Sequence, residues 1–335
     1  MDVGSLYTNI DHLEGAEACY EALEKRKNKT ISSSLLRRLI LLVLRSNIFR
    51  FDNTFYQQIK GTAMGTPMAV NYANLFLEKF ETEMLNEYER KTNLRPYTWM
   101  RYIDDIFFIW HHDEKSLQEF ITFCDNYSAT LKMKSKIRFD TNSSTNSVNF
   151  LDVNVRLTGK RISTSLYSKE TDAHLYLNAK SSHPRHVIKN LPKGQFIRIR
   201  RICSEDSEFD RHARQTKKYF VQRGFTEKHL QETIESVKRI SREKLLEDQG
   251  KKAEKDPHAI FVCTWHPKLR ELPSILNKNY EILKNDPRLR DVFSEKPTVA
   301  FRRKKNLRNI LCRNDVRMKE EEKQGKNAKA VNFVR

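Results

Sequence analysis

Arg101-Tyr102-Ile103-Asp104-Asp105-Ile106-Phe107 sets two adjacent carboxylates inside a stretch, residues 97–110, that is otherwise rich in aromatic and β-branched side chains. The composition predicts two strands, and the break predicts a turn carrying the acidic pair between them. At a tight turn neighbouring side chains need not be buried in the sheet, so both can reach one cation, whose binding relieves their repulsion. A plain aspartate-rich hairpin turn has the same letters. The choice between the two readings rests on the rest of the chain.

Upstream, Asp2-Val3-Gly4-Ser5-Leu6-Tyr7-Thr8-Asn9-Ile10 offers a third carboxylate at a strand end, with an aromatic, Tyr7, five residues further on. Between the two segments, Gln58-Ile59-Lys60-Gly61-Thr62-Ala63-Met64-Gly65-Thr66-Pro67-Met68-Ala69 reads as a glycine-marked turn entering a long helix over residues 67–89. There the backbone can approach a nucleotide closely. Downstream, Val148-Asn149-Phe150-Leu151-Asp152-Val153-Asn154-Val155 supplies a hairpin strand. Nucleotidyl transfer to a primer 3′-hydroxyl uses two Mg2+ ions, one activating the attacking oxygen and one stabilising the leaving pyrophosphate. Two or three carboxylates on rigid elements are the usual protein share, because Mg2+ takes hard oxygen ligands.

The remaining periodicities predict a strand running into a turn over residues 1–10, helices over 15–27 and 35–44 (the second capped within 32–34) and a hairpin over 49–55. A helix over 114–127 and strands near 136–140, 148–155 and 162–166 follow. This order belongs to the α+β class, an antiparallel sheet covered by helices. From about Ser181 basic helical segments take over, at 184–204, 210–222 and 227–247. A solvated stretch at 246–256, an apolar segment at 259–265 and a helix at 271–283 come after them. The tail beyond Asn314 is charged, nearly free of aromatics and expected to be disordered.

Charge divides the chain in the same sense. Residues 1–154 carry 19 Lys and Arg against 20 Asp and Glu, whereas residues 155–335 carry 43 against 23. A near-neutral half holding carboxylates, joined to a strongly basic half, suits a polyphosphate substrate held through counterion release. A merely solubilising basic surface is the other reading. In the basic half His183, Arg185, His186, Lys189, Lys193, Arg198, Arg200 and Arg201 lie close in sequence, and can follow a sugar-phosphate backbone or form a solvated helix face. The five cysteines have no paired short spacing, so a disulfide framework is not expected and a reducing compartment is. Cys263 and His266 are only half a zinc-ligand set, with His258 and Cys312 at poor spacing. No apolar run is long enough for a membrane span, and no signal peptide pattern precedes the first element.

The order and wording of these segments, DVGSLYTNI, GTAMGTPMA with ANLF, RYIDDIF and NFLDVNV, resemble the palm motifs of reverse transcriptases, and most closely those of Penelope-like retroelements. The resemblance continues through SSHPRHVIKNLPKGQFIRIRRICS and FRRKKNLRNILCR, to about Arg313. It implies a right-hand polymerase palm over residues 1–180, a mostly helical basic thumb and connection region over 181–313, and a charged tail over 314–335. It implies RNA-directed DNA polymerase activity with two Mg2+ ions, Mn2+ being the alternative, bound by Asp2, Asp104 and Asp105 as metal-binding and catalytic residues.

The same resemblance places Val3, Tyr7, Met64, Gly65, Lys136 and Arg138 at the nucleotide, Tyr7 as the aromatic that discriminates the ribose. It places Tyr102, Phe150, Leu151, Arg185, Lys189, Lys193, Arg198, Arg200 and Arg201 along primer and template. Tyr7 as a core aromatic is the lesser reading, whereas an apolar strand explains Phe150 and Leu151 equally well. Arg138 stands where relatives carry a proton-donating lysine, and arginine does not readily release a proton. Lys136 or Lys134 can serve instead.

The implied partners are an RNA template, a DNA primer or RNA–DNA hybrid, and deoxynucleoside triphosphates, with no membrane. The implied location is intracellular, and nuclear if synthesis is target-primed. The fingers subdomain expected upstream of Asp2 and the GIY-YIG endonuclease of many relatives are both missing from the pattern. The expectation is therefore that this polypeptide extends a primer only when a fingers region is supplied. The competing reading is a catalytically inert, nucleic-acid-binding remnant of such an element.

Overall fold

The computed structural model describes residues 1–247, 259–289, 293 and 295–304. Its contacts group into two compact units, one over Met1–Ser144 and one beginning at Thr145, so the compositional change at Ser181 falls inside the second.

In the first unit β1 (Asp2–Val3) leads into a one-turn helix α1 (Leu6–Asn9) and the helices α2 (His12–Glu24) and α3 (Ser33–Arg45). The Asp11 carboxylate caps α2 by accepting the Leu13 and Glu14 N–H groups, and the Ser32 hydroxyl caps α3 at Leu35. The β2–β3 hairpin (Ile48–Phe51, Thr54–Gln57) turns on Asp52 and Asn53, both at positive φ as a two-residue hairpin turn requires.

The long helix α4 (Ala69–Thr92) places Tyr72, Phe76, Phe80, Met84 and Tyr88 four apart on one buried stripe. At roughly 1.5–3 kcal/mol for each large apolar side chain, this stripe is the main attachment of α4 to the sheet. Opposite it lies a sheet of β4 (Thr98–Tyr102), β5 (Asp105–Ile109) and β6 (Phe139–Asp140) with β1, in the antiparallel order β4-β5-β1-β6. Helix α5 (Glu114–Thr130), capped by Asp113, brings Phe120 into an aromatic cluster with Tyr88 and Trp110, each at 4.9 Å.

The second unit opens with a meander, β7 (Ser147–Phe150), β8 (Val153–Thr158) and β9 (Arg161–Leu166). Residues 148–155 are therefore two strands around a turn at Leu151 and Asp152, and Leu151 takes φ 54° there. Helices α6 (Arg185–Ile202), α7 (Asp206–Gln222) and α8 (Glu227–Lys238) share a core of Phe196, Phe209, Phe220, Leu230 and Ile234. The helix expected over 227–247 breaks after Lys238, because Ser241 caps a separate helix α9 (Arg242–Leu246). The apolar segment near 260 is β10 (Ile260–Thr264), paired in parallel with β11 (Thr298–Arg302), a strand that periodicity alone misses. The segment expected as one helix over 271–283 is two, α10 (Leu272–Lys278) and α11 (Tyr280–Asn285). The expected tail beyond Asn314, His258 and Cys312 lie outside the described residues.

Candidate active site

Strand β1 lies between β5 and β6, and its bonds to β5 flank Asp2. Met1 and Ile106 exchange two hydrogen bonds of 2.8 Å, and the Val3 N–H donates to the Asp104 carbonyl at 3.0 Å. Asp2 and Asp105 are thus a pair without mutual hydrogen bonds, the register in which side chains come closest. On its other edge Asp2 faces Asp140. Strand alternation sends Val3, Ile106 and Phe139 into the core and leaves Asp2, Asp105 and Asp140 in a row on the opposite face.

Asp104 stands at the end of this row. Tyr102 pairs with Asp105, so the turn consists of Ile103 and Asp104, and the acidic pair is divided between turn and strand. Ile103 takes φ 58°, an uncommon conformation for a β-branched residue that costs on the order of 1–3 kcal/mol. Arg101 holds it there. Its guanidinium donates to the Ile103 carbonyl at 3.1 Å, to the Asn74 side chain at 2.8 Å and to Glu81 at 2.8 Å. The Arg101–Glu81 pair is nearly buried, with 13% and 9% of the side chains exposed. Burial raises the Glu81 carboxyl above the usual carboxylate range, and Arg101 opposes that shift.

Burial first, and then the charges of Asp104, Asp105 and Asp140, raise the Asp2 carboxyl above its ordinary value. That repulsion is what a divalent cation would relieve, and the donors are all hard oxygens, as Mg2+ requires. Asp2, Asp104 and Asp105 therefore suit a magnesium site by chemistry and register. As placed, their side chains do not close into a cage, and among the described residues no cluster of three or more His, Cys, Asp or Glu is arranged to hold a metal ion.

Tyr7 packs against the core, and burial first, then the Asp104 charge, hold its phenol above the ordinary pKa. The glycine loop is tied to the same segment. Thr62 N–H donates to the Tyr7 carbonyl at 2.7 Å and Gly61 N–H to the Ile10 carbonyl at 3.0 Å, while His12 Nε2 donates to the Gly61 carbonyl at 2.7 Å. At Gly61 a Cβ would stand 2.3 Å from the Tyr7 oxygen, at φ 75°, whereas at Gly65, φ 88°, it would meet nothing within 4 Å. Gly61→Ala is therefore expected to destabilise the protein by about 2–3 kcal/mol and Gly65→Ala by about 1 kcal/mol, as read by urea unfolding. Equal costs at the two positions would contradict this packing.

The other expected site residues have varied surroundings. Val3 is a core side chain, 2% exposed, and its N–H donates to the Asp104 carbonyl. Arg138 pairs with Asp125 of α5 at 2.9 Å, while Lys136, Met64 and Tyr102 are exposed. In the second unit Phe150 opposes Val153, and the exposed Leu151 occupies the turn. Arg198 is paired with Asp152. Arg200 is buried, paired with Asp206 at 2.5 Å and stacked over Phe209, and Arg201 donates to the Leu245 carbonyl. The last two arginines brace helices. Arg185, Lys189 and Lys193 remain exposed, and among the described residues none has an ion-pair partner.

Sequence reasoning passed over Asp140 and Arg101. The alternation Ile137-Arg138-Phe139-Asp140 signals that Asp140 shares a face with the acids, and an arginine inside an apolar strand signals a buried partner such as Glu81.

Residues 175–235 match the family described as the animal helix-turn-helix domain. No curated protein and no solved structure matches the chain. The matched stretch contains α6, α7 and most of α8. A four-residue connection between α7 and α8 carries Gly224 at φ 84°, the turn residue that such a corner uses. Among the described residues no helix is long and apolar enough to cross a membrane.

Proposed function

We propose that the chain is the palm and thumb part of an RNA-directed DNA polymerase of the Penelope-like type. The observation that carries the reading is the register of Asp2 against Asp105, beside a strained turn bearing Asp104. Asp2 and Asp105, about a hundred residues apart in sequence, share one face of one antiparallel sheet, and Asp104 adjoins Asp105 in the turn. Two Mg2+ ions bound there would activate the primer hydroxyl and neutralise the leaving pyrophosphate. The residues of this chain would hold the oxygens in place: Arg101 fixes the turn, Gly61 locks the glycine loop to Tyr7, and open Gly65 leaves room for a nucleotide.

Tyr7 beside Asp104 is suited to exclude a ribose 2′-hydroxyl by bulk. The test is extension of a labelled DNA primer on an RNA template, by the chain with a fingers segment joined ahead of Met1. Tyr7→Ala is expected to raise ribonucleotide incorporation about ten-fold or more with little loss of deoxynucleotide use, one contact of about 1.4 kcal/mol. Unchanged sugar selectivity would remove Tyr7 from the site.

The helix-turn-helix match supports a second reading, in which the chain binds nucleic acid without catalysis. Helix α8 carries Glu227, Glu232 and Glu235 against Lys228 and Lys238, so it is poorly suited to lie in a groove, and the exposed cations of α6 are better placed. Binding of an RNA–DNA duplex by the full chain is expected to weaken steeply with salt. Lys193→Gln should flatten the log–log slope by about one unit, as for one phosphate contact. A salt-independent affinity would leave the charge as surface only.

A further inference from the structure

The second unit contains an open cleft of about 620 Å3 whose lining includes Arg185 and Lys189 of the exposed α6 face. Its walls are the loop before α6, the first turn of α6, the corner between α7 and α8 with the start of α8, and the segment after β10. Phe225, Ile188 and Trp265 give it an apolar, partly aromatic lining. Arg185, Lys189, His229 and Arg270 surround that lining, and no carboxylate lines the cleft.

Two features point to a ligand, beside the nearly buried Trp265 of the lining, 9% exposed. Helix α6 begins at the cleft with no side-chain cap and no acidic residue in its first turn, so its N-terminus keeps its affinity for an anion. Arg185 and Lys189 have no ion-pair partner among the described residues, and Arg270 has only its neighbour Glu271, at 4.0 Å. One wall is held firmly, because Ala179 N–H donates to the Arg223 carbonyl at 2.9 Å and Arg223 donates to the Tyr176 carbonyl at 2.6 Å.

We propose that this cleft binds an unpaired nucleotide of a nucleic-acid strand, its base against Trp265 and Phe225 and its phosphate between Arg185, Lys189 and Arg270. A duplex needs only an exposed basic ridge for its phosphates, whereas an apolar aromatic floor is of use to a base that has left its stack. The volume lies in the range of small-ligand sites and accommodates one nucleotide. Failure or success of this site says nothing about polymerisation.

The test uses the full chain and fluorescence anisotropy with two labelled probes, a single-stranded oligonucleotide and a blunt RNA–DNA duplex of the same sequence. The double substitution Arg185→Gln with Lys189→Gln, at exposed positions, is expected to weaken single-strand binding about ten-fold or more. Trp265→Phe is expected to weaken it about five-fold, within the range for loss of one base contact. Duplex binding should change less than about three-fold in Trp265→Phe, whereas the double variant, which removes two cations of the exposed α6 face, is expected to weaken the duplex as well. As a readout independent of folding, a strand carrying 5-iodouracil should cross-link under ultraviolet light to the peptides containing Trp265 or Phe225 in the unsubstituted protein. Equal losses on strand and duplex in Trp265→Phe would overturn the proposal in favour of a general nucleic-acid-binding surface. So would undiminished single-strand binding in the double variant, or cross-links confined to other peptides.

Discussion

Primer extension is expected to fall by at least about a thousand-fold when Asp104 is replaced by Asn, with folding retained. The amide keeps the shape of the side chain in the turn but loses the negative charge and one acceptor oxygen, the two properties a hard cation requires. Metal stabilisation of the reacting oxygens contributes several kcal/mol, and at about 1.4 kcal/mol per factor of ten a loss of about 4 kcal/mol gives the stated factor. Stability should not fall with activity. Asp104 is one of the charges that raise the Asp2 carboxyl, so removing it relieves repulsion in the uncomplexed protein. The measurement is single-turnover extension on an RNA template by the fingers-joined chain, alongside thermal unfolding. Extension that survives the substitution would remove the carboxylate row from catalysis and leave the binding-only reading.

The second large effect is expected at Arg101, which touches no substrate in this reading. Arg101→Leu leaves the Glu81 carboxylate nearly buried without its partner, a change that typically costs about 3–5 kcal/mol. It also releases the Ile103 carbonyl, so the turn bearing Asp104 is free to leave its strained conformation. The pH dependence has a definite sign. Burial raises the folded-state pKa of Glu81 above its unfolded value, and removing Arg101 takes away the opposing attraction, so the shift grows.

Between the two pKa values the folded protein binds more protons than the unfolded chain, and stability falls as pH rises through that window. The variant should therefore be more destabilised at pH 8 than at pH 5, relative to the parent protein, in urea unfolding followed by circular dichroism. Adding Glu81→Leu should restore much of the loss and remove the pH dependence, because no buried charge then remains. A loss that is independent of pH would mean that Glu81 is solvated in the folded state.

Much of the local structure was legible in the sequence because its causes are local. Ser32 announces a helix start through its own side-chain oxygen, and Asp52-Asn53 announces a hairpin through its tolerance of positive φ. The spacing Tyr72, Phe76, Phe80, Met84 and Tyr88 specifies which face of the long helix is buried. What stayed open were segments whose outcome depends on partners in other elements. β10 is a strand because β11 lies beside it, and Arg200 is taken up by Asp206 and Phe209 of the next helix.

By itself the sequence determined which residue types were available: three aspartates in two short segments, a glycine loop, and a basic second half. Only the tertiary structure decided that Asp2 lies opposite Asp105, that Asp140 joins the row, and that Arg101 reaches Glu81 to brace the turn. The division has a physical cause. Caps, turns and amphipathic faces act over a few residues and leave a mark at fixed spacing. Register between strands a hundred residues apart is set by which hydrophobic faces share one core, and a shift of one residue would exchange every aspartate in the row with its buried neighbour.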